Sequence, residues 1–512
     1  MGYCLRTAGG TLMTNEAEPD GAGWVEIDPQ DRFREECGVC AIFGHPEAAN
    51  LAYLALYALQ HRGQESAGIC SSNGVSVFTR KGMGLVNEVF SETDLQQLSG
   101  HMAIGHTRYS TAGDVNSLNA QPFYVECNKG ALAVAHNGNL TNGHLLRHEI
   151  EMSGSIFQAT SDTEVIPHLM ARSREPTLRH ALRESLLRLE GAYSLAVLGR
   201  DQIIVARDQR GFRPLAYGTM HHKGREVHVF ASETCAFDLI GARYVDDVRP
   251  GEIVVVSDEG VRRQQFAPSI SRSQCVFEHV YFSRPDSIVF GRPVQESREA
   301  LGRRLAEESP VDGDCVIPVP DSGNAAAIGY SNRSGIPFSL GLIRNHYVGR
   351  TFIEPKQSIR NFGVKLKLNP IRQIVAGKRV VLVDDSLVRG TTSRKIVGIM
   401  RDAGAREVHL RISCPPTIGS CYYGVDTPDR DDLIANRMSV EEIRQHTGAD
   451  SLAYLSLEGL KQAVRDIAGD YCYSCYTAEY PTELVQIDQF VSDHRLKNAT
   501  EDRFAWRVLQ AG

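Results

Sequence analysis

Residues 380–392 constrain the fold of this 512-residue chain more than any other segment. Four hydrophobic residues in a row end in Asp384 and Asp385, and a short loop of small residues then leads into a helical pattern. An unbroken hydrophobic run is typical of a strand in a parallel sheet that is covered on both faces. A similar run over 314–319 precedes it, and a further strand is predicted over 407–413. The second half of the chain is therefore predicted to be an α/β domain with a parallel sheet.

The loop after this strand has the residues of a phosphate site. It opens a helix predicted over 391–403, and the free backbone N–H groups at a helix N-terminus bind phosphate. Asp384 and Asp385 lie at the carboxyl end of the strand, where open α/β sheets bind ligands, and can accept hydrogen bonds from ribose hydroxyls. A strand-end turn with solvated acids is the alternative interpretation. The predicted phosphate-binding residues are Arg389, Gly390, Thr391, Thr392 and Ser393.

This stretch resembles the binding loop of type I phosphoribosyltransferases. The resemblance extends to residues 320–324, a loop that would take pyrophosphate, and to residues 344–353, a flap that would bring Arg350 to the diphosphate of the substrate. Magnesium suits such a site, because hard oxygen ligands and substrate phosphates usually hold this ion. The magnesium ligands that the resemblance implies are Ser322, Asp384 and Asp385.

The flap departs from the family pattern at two positions. Family members commonly have Lys and Arg where this chain has Arg344 and His346. The charge at 344 is kept, but the guanidinium of Arg does not reproduce the geometry of the Lys ammonium. The cationic contacts of the closed flap are therefore expected to differ.

The amino-terminal half begins with an acidic leader. Residues 1–36 contain eight acidic and three basic side chains, few aliphatic residues and no amphipathic period, which predicts a flexible propeptide. From Cys37 onward, short hydrophobic runs such as 37–44 and 131–136 alternate with helical patterns. This change predicts a mixed α/β domain that ends near residue 270.

Cys37 is a candidate nucleophile. Removal of residues 1–36 would give it a free α-amine, whose ordinary pKa of about 7.7–8.0 suits a general base for the thiol of the same residue. A cysteine that opens a strand is more often a packing residue, so this hypothesis depends on companion segments elsewhere in the chain.

Three companion segments together describe a clamp for glutamine. Arg108 can pair with a substrate α-carboxylate. The Asn137 side-chain amide and the Gly138 N–H, which follow a predicted strand, can stabilise a developing oxyanion. Asp162 suits a substrate α-ammonium group. Taken singly, each of these residues could belong to a turn or a surface pair.

With both halves considered, the chain resembles the glutamine phosphoribosylpyrophosphate amidotransferase family from Cys37 to about residue 481. Amino-terminal glutaminase motifs alone would also suit families that make glucosamine 6-phosphate, asparagine or glutamate, and the 380–392 loop selects this one. Further segments that carry the resemblance are 60–68, 207–214, 232–238 and 281–286.

The resemblance implies a multi-domain α/β fold. An Ntn-hydrolase glutaminase with an αββα sandwich would be fused to a type I phosphoribosyltransferase with a parallel sheet. The predicted parts are a propeptide (1–36), a glutaminase domain (37–270), a phosphoribosyltransferase domain (271–460) and a carboxyl-terminal helical segment and tail (461–512).

It also implies a reaction and its partners. Ammonia released from glutamine would pass internally to phosphoribosyl diphosphate and give 5-phosphoribosylamine, in the first committed step of purine synthesis. Purine nucleotides are expected to be feedback inhibitors, and a homo-oligomer, dimer or tetramer, is expected. The alternative is a non-catalytic regulator that senses phosphoribosyl diphosphate, which would not need the glutamine clamp.

Four cysteines are candidate ligands of an iron–sulfur cluster. The pair Cys472 and Cys475 alone could be a zinc half-site, a redox pair or two unrelated thiols. Some members of the family carry a [4Fe-4S] cluster on such a pair plus two distant cysteines, and Cys275 and Cys421 fall at the matching places. Four thiolates suit this cluster, which the resemblance implies. Zinc bound by four cysteines and plain packing remain the alternatives.

Net charge and hydropathy exclude two classes of partner. The formal charge of −7 provides no basic field for nucleic acid. No stretch approaches the ~18 consecutive apolar residues of a membrane span, and the amino terminus lacks the pattern of a secretory signal. Twelve cysteines without the density of a small secreted scaffold favour reduced thiols. A cytoplasmic protein without nucleic-acid or membrane partners is expected.

Overall fold

A computed structural model describes residues 37–109, 117–268, 270–345, 368–466 and 468–484. The predicted propeptide, His346, Arg350 and the remainder of the predicted flap up to residue 353 lie outside the described residues. So does the part of the carboxyl-terminal tail from residue 485 onward.

The amino-terminal domain is a sandwich of two antiparallel sheets. In the first sheet the strand that follows Cys37 is central, since it pairs on both edges. Its residues are buried throughout, as expected for a strand covered on both faces. The seven strands are, in spatial order, Arg243–Asp247, Ala216–His222, Arg225–Ala231, Gly38–Phe43, Met102–Arg108, Ser66–Ser72 and Val77–Met83.

The second sheet packs face to face on the first. Val39, Ile104, Ala135 and Val205 contribute to one hydrophobic core between the two sheets, which corresponds to the aligned packing of a β-sandwich. Its six strands are, in order, Gly260–Gln265, Glu252–Ser257, Gln202–Arg207, Gly191–Leu198, Gly130–Leu140 and Phe123–Cys127.

Helices cover the outer face of each sheet and complete the αββα arrangement that the family resemblance implied. One core joins the first sheet to the helices that contain Leu56 and Phe237. Another joins the second sheet to the helices that contain Ile150, Leu169 and Leu182. The helices of this domain are Ala48–Ala58, Val86–Val89, Glu92–Gln97, Gly143–Met152, Val165–Arg172, Leu178–Leu186 and Cys235–Ile240, with 3-10 turns at Gln60–Arg62, Ser117–Asn119 and Asp162–Glu164.

The second domain contains the predicted parallel sheet. Every pair of neighbouring strands is parallel, and residues of the strand that ends in Asp384 are buried on both faces. The strand order is Cys315–Pro318, Arg379–Asp384, Glu407–Ile412 and Ser451–Tyr454. The helices are Val294–Glu308, Asn324–Ser334, Arg372–Val375, Thr391–Asp402, Ile434–Arg437, Val440–Thr447, Leu457–Ala463 and Ser474–Thr477, with a π-helical turn at Glu278–Phe282 and a 3-10 turn at Arg430–Asp432.

The carboxyl-terminal segment packs onto the second domain. The helix Leu457–Ala463 crosses residue 460, and Ala463, Val464 and Tyr476 belong to the same core as the parallel sheet. Tyr471–Cys472 pairs in parallel with Gln274–Cys275, so the chain returns to the start of this domain. Two further short pairs are Ile288–Val289 with Arg292–Pro293 and Leu342–Arg344 with Leu368–Pro370.

Within the described residues, none of the helices has both the length and the hydrophobic character that a membrane crossing requires.

Candidate active sites

Cys37 lies immediately before the central strand of the first sheet and is buried. Its thiol donates to the carbonyl oxygen of Tyr109 at 3.6 Å, and its own carbonyl oxygen accepts from Nε of Arg62 at 3.2 Å. Burial raises the pKa of the Cys37 thiol to about 11, with smaller lowering effects from the Tyr109 carbonyl and the Arg108 charge. The thiol is therefore neutral at pH 7 and needs a base before it can attack a substrate.

Two charged members of the predicted glutamine clamp lie within electrostatic range of this thiol. The positive charge of Arg108 lowers the pKa of Cys37, and the negative charge of Asp162 raises it. Arg108 is buried at the end of its strand, 3.9 Å from Glu65. Asp162 accepts from the backbone N–H of Leu140 at 2.8 Å. A cation and an anion therefore both act electrostatically on this one thiol.

The two predicted oxyanion donors lie within a strand rather than after it. The strand Gly130–Leu140 continues through Asn137 and Gly138, because both pair with the strand Gly191–Leu198. Gly138 has a φ of +144°, and a Cβ there would lie 2.0 Å from the Ala192 carbonyl oxygen, so only glycine fits.

Ser232 connects Asn137 to the strand Gly38–Phe43, which follows Cys37. Its hydroxyl oxygen accepts from the Asn137 side-chain amide at 3.4 Å and from the backbone N–H of Val39 at 3.0 Å. This hydroxyl therefore ties the amide to a backbone group two residues from Cys37. Ser232 lies in the segment 232–238 that carries the family resemblance, but the sequence alone gave it no role.

A cavity of about 270 Å³ lies where the two domains meet. Asp162 and Asn139 line it from the first domain, and Tyr422 and Gly424 line it from the second. Of the predicted clamp residues, only Asp162 is among its lining residues, whereas Cys37, Arg108, Asn137 and Gly138 are not. The contribution of the second domain to this wall was not visible in the sequence.

The second site is at the carboxyl edge of the parallel sheet. Asp384 ends its strand and Asp385 follows it, and both side chains are largely buried. Asp384 accepts from the backbone N–H of Asp385 at 3.0 Å, and Asp385 accepts from the Ser386 hydroxyl at 2.6 Å. Two carboxylates at a strand end are a suitable partial ligand set for Mg²⁺, which otherwise binds water and substrate phosphates.

The loop 320–324 lies against this strand end. Val319 donates its backbone N–H to the Val383 carbonyl oxygen at 2.8 Å, and a Cβ on Gly323 would lie 2.5 Å from the same oxygen. Ser322, the predicted magnesium ligand, is half-buried in this loop. Arg344 donates to Asp321 at 2.8 Å, so the described start of the flap is already tied to the loop.

The predicted phosphate loop leads into the helix Thr391–Asp402. Gly390 precedes it with a φ of +81°, and a Cβ at that position would lie 2.7 Å from Ile434. Ser393 is buried in the first turn. The Arg389 guanidinium donates to Asp432 at 2.8 Å. The backbone of 389–393 is thus placed at the same sheet edge as Asp384, as expected for a phosphate site.

The four candidate cluster cysteines lie in one region. Cys275 and Cys472 are opposite each other in a parallel pair, and the electrostatic neighbours of the Cys475 thiol include Cys275, Cys472 and Cys421. None of the eleven cysteines in the described ranges forms a disulfide. As placed, no three His, Cys, Asp or Glu side chains of the described residues are close enough to hold a metal ion. Four thiols in one region nevertheless have the donor chemistry of a four-thiolate group.

A buried ionic network connects the two domains, and sequence reasoning assigned no role to its members. Arg62 binds Glu233 and, at 2.6 Å, Glu278, and Arg213 binds Glu278 as well. All four side chains are at most 1 % exposed. Burial alone would raise the pKa of Glu278, but Arg62 and Arg213 hold it well below its usual range. Glu278 is therefore ionised. Through its ion pair with Arg62, which donates to the Cys37 carbonyl oxygen, the second domain is connected to the backbone of Cys37.

The Arg62 and Glu233 side chains occur in segments that carry the family resemblance. The sequence around Arg62 gave no signal of burial, because residues 60–66 are polar apart from Gly63. The sequence also could not show that Arg62 pairs with Glu278, since the two residues are 216 positions apart in the chain.

Comparisons with known proteins agree with this geometry. A family model described as a glutamine amidotransferase domain matches residues 106–238. The chain is 54 % identical over 461 residues to amidophosphoribosyltransferase 1, chloroplastic, of Arabidopsis thaliana, and the match covers 90 % of this chain and 81 % of that protein. It is 50 % identical over 459 residues to the amidophosphoribosyltransferase of Bacillus subtilis strain 168, covering 89 % and 96 % of the two chains.

A solved structure is similar over the same range. It is the glutamine phosphoribosylpyrophosphate amidotransferase of B. subtilis complexed with ADP and GMP, with a TM-score of 0.83 and 49 % sequence identity. The match covers 88 % of this chain and 98 % of that one.

Proposed function

The chain belongs to the amidophosphoribosyltransferase family, and we propose from this premise that its two sites act in sequence on glutamine and phosphoribosyl diphosphate. The products are 5-phosphoribosylamine, glutamate and diphosphate, in the first step of purine biosynthesis. The relatives carry the name of an enzyme, so the alternative of a non-catalytic regulator has no support among them.

The first site releases ammonia. The proposed α-amine of Cys37, free after loss of residues 1–36, takes the thiol proton, and the sulfur attacks the amide carbon of glutamine. Asn137 and Gly138 donate to the oxyanion that forms. Arg108 and Asp162 hold the α-carboxylate and α-ammonium groups. The C–N bond breaks with proton transfer to nitrogen, ammonia leaves, and water hydrolyses the thioester to glutamate and free thiol.

The second site uses that ammonia. The nitrogen attacks C1 of phosphoribosyl diphosphate, the C1–O bond breaks with diphosphate as leaving group, and the attacking nitrogen loses one proton. Asp384 and Asp385 orient the ribose hydroxyls, and the backbone of 389–393 holds the 5-phosphate. Ser322 and its loop face the diphosphate. We assign Arg350 to the same group, although it lies outside the described residues.

Magnesium is proposed to be held by Asp384, Asp385 and Ser322 together with the substrate. When bound, it would neutralise charge on the diphosphate leaving group. The residues fit this ion because two largely buried carboxylates lie at one strand end. Mg²⁺ is usually coordinated by one or two protein carboxylates together with substrate phosphates and water.

One observation carries the proposal. The thiol of Cys37 is under the influence of both Arg108 and Asp162, in the same chain that presents Asp384 and Asp385 at the edge of a parallel sheet. A glutaminase centre and a phosphoribosyl centre in one polypeptide support a transfer of ammonia between them.

The decisive assay measures diphosphate release from phosphoribosyl diphosphate and magnesium, with glutamine or ammonium chloride as nitrogen source. Asp385→Asn is expected to lower both activities about 10²-fold or more, because a mispositioned ribose loses its alignment with the nitrogen. Asp258→Asn, the same change at an exposed turn of the first domain, is the matched control and should leave both unchanged. Diphosphate release that is equal with and without a nitrogen source would contradict the proposed function.

A [4Fe-4S] cluster on Cys275, Cys421, Cys472 and Cys475 is a further part of the proposal. Support comes from the shared location of four thiols without a disulfide. Arg213 lies within electrostatic range of Cys275, Cys421 and Cys472, so its guanidinium would balance the negative charge of coordinated thiolates.

Protein purified without oxygen is expected to contain about four iron and four acid-labile sulfide per chain. Cys472→Ser should lower the iron content at least about twofold, because one of four ligands is lost. Cys127→Ser changes a half-buried thiol of the first domain and should not alter the iron content. Stoichiometric zinc in place of iron, or unchanged iron in Cys472→Ser, would contradict this assignment.

Purine nucleotides are proposed as feedback inhibitors. The similar B. subtilis structure was solved with ADP and GMP, and the backbone of 389–393 could take the phosphate of a nucleotide as it takes that of the substrate.

A further inference from the structure

Residues 421–425 of the second domain, the 421–425 segment, lie directly on the strand that carries the proposed oxyanion donors. The Asn139 side-chain amide donates to the Tyr422 carbonyl oxygen at 3.0 Å. A Cβ on Gly424 would come within 3.0 Å of the Gly138 Cα and 3.1 Å of its carbonyl carbon. Backbone from one domain is therefore in van der Waals contact with the catalytic strand of the other.

Gly138 is confined from two sides. The strand Gly191–Leu198 approaches so closely that a Cβ on Gly138 would lie 2.0 Å from the Ala192 carbonyl oxygen. Gly424 occupies another side and is itself restricted to glycine by its φ of +108°. The peptide of Gly138 consequently has an orientation set by both neighbours.

The 421–425 segment is itself fixed in place. Tyr423 is almost fully buried and stacks on Phe212 of the first domain, with ring centroids 4.1 Å apart. The hydroxyl groups of Tyr423 and Thr482 form a hydrogen bond of 2.8 Å. Cys421 donates its backbone N–H to the Thr427 hydroxyl at 2.8 Å. The stacking on Phe212 holds the segment against the first domain, and the two hydrogen bonds hold it to residues of its own half of the chain.

The segment also forms part of the wall of the cavity that contains Asp162. Tyr422 and Gly424 form one wall, and Asp162 and Asn139 form another. Residues of both domains therefore meet at Asp162.

We propose that Gly424 and Asn139 are positioning residues for the glutaminase step, which hold the Gly138 peptide so that its N–H points to the oxyanion. The inference rests on the proposed function of Gly138. It means that the glutaminase site is complete only when the second domain is docked, and that displacement of the 421–425 segment lowers glutamine cleavage without a change at Cys37.

The test compares Gly424→Ala with Gly260→Ala. Gly260 has a similar φ of +103°, but a Cβ added there would have no atom within 4 Å, so the control reproduces the backbone strain without the contact. Gly424→Ala is expected to lower kcat with glutamine at least about tenfold, part of the 10²–10³ that loss of an oxyanion donor costs. The KM for glutamine and the ammonia-dependent rate should stay within about twofold of the parent.

A second variant keeps the inference testable if Gly424→Ala does not fold. Asn139→Ala removes the hydrogen bond to Tyr422 and is expected to lower kcat with glutamine in the same selective way. Alkylation of Cys37 by iodoacetamide should proceed at the parent rate in both variants, because the thiol itself is unchanged.

Three results would overturn the inference: equal kcat with glutamine in Gly424→Ala and Gly260→Ala, an equal loss of glutamine- and ammonia-dependent rates, or an Asn139→Ala variant with the parent kcat. Failure of the proposed function has a different signature, since Asn137→Ala would then retain glutamine-dependent activity.

Discussion

Glutamine-dependent activity of a Cys37→Ala variant is expected to fall roughly 10⁴-fold or more, the scale of loss when a hydrolase loses its nucleophile. Without the sulfur no thioester forms, and no ammonia is released inside the protein. Activity with ammonium chloride should stay within about twofold of the parent, because Asp384 and Asp385 belong to the other domain. Diphosphate release with each nitrogen source measures both quantities.

Cys40→Ala is the matched control for this experiment. Cys40 is equally buried and lies three residues further along the same chain segment, but it packs against the helix Ala48–Ala58, where its thiol reaches the Ala52 carbonyl oxygen. The Cys40→Ala variant should retain both the glutamine-dependent and the ammonia-dependent activity. Loss of both activities in Cys37→Ala would contradict the division of labour between the domains.

The proposed general base can be tested by the intact mass of the purified protein. This mass should correspond to a chain that begins at Cys37, and an active chain that still begins at Met1 would contradict the α-amine as base.

Sequence patterns predicted the elements of both domains because local periodicity determined them. The hydrophobic run before Asp384 became a buried parallel strand, and the helix predicted over 391–403 is observed at Thr391–Asp402. In the first domain, the run over 37–44 became the central strand Gly38–Phe43. These segments have one dominant period each, so short-range information was sufficient.

The strand that carries Asn137 and Gly138 shows where local signals end. The motif was expected to follow a strand, yet the strand continues to Leu140. Glycine disfavours strands in isolation, but here it is required because the neighbouring backbone is too close for a side chain. Such an approach depends on the partner strand and cannot be read from one segment.

Contacts between the two domains were even harder to predict from the sequence. The 421–425 segment lines the cavity at Asp162, although more than 250 residues separate the two in the chain. Sequence reasoning identified Cys421 as a cluster ligand candidate and Asp162 as a glutamine ligand candidate. Their proximity follows only from the docking of the two domains, for which periodicity and motifs hold no information.

Replacing Arg62 by methionine is expected to lower the free energy of unfolding by about 3–5 kcal/mol, the usual cost of removing one partner from a buried ion pair. Methionine fills much of the volume but leaves Glu233 and part of Glu278 without their guanidinium. Burial would raise the pKa of both carboxyl groups. His61 and Arg62 together lower the pKa of Glu233, and Arg62 and Arg213 together lower the pKa of Glu278. Urea denaturation followed by circular dichroism measures the loss.

Arg262→Met is the matched control, since Arg262 pairs with Glu259 at the surface with both side chains more than 60 % exposed. Its effect should stay below about 1 kcal/mol. Adding Glu233→Gln to Arg62→Met is expected to restore part of the lost stability, because Glu233 is the carboxylate that loses its guanidinium partner, whereas Glu278 keeps Arg213. If Arg62→Met were no more destabilising than Arg262→Met, the buried network would contribute no stability to the joint between the domains.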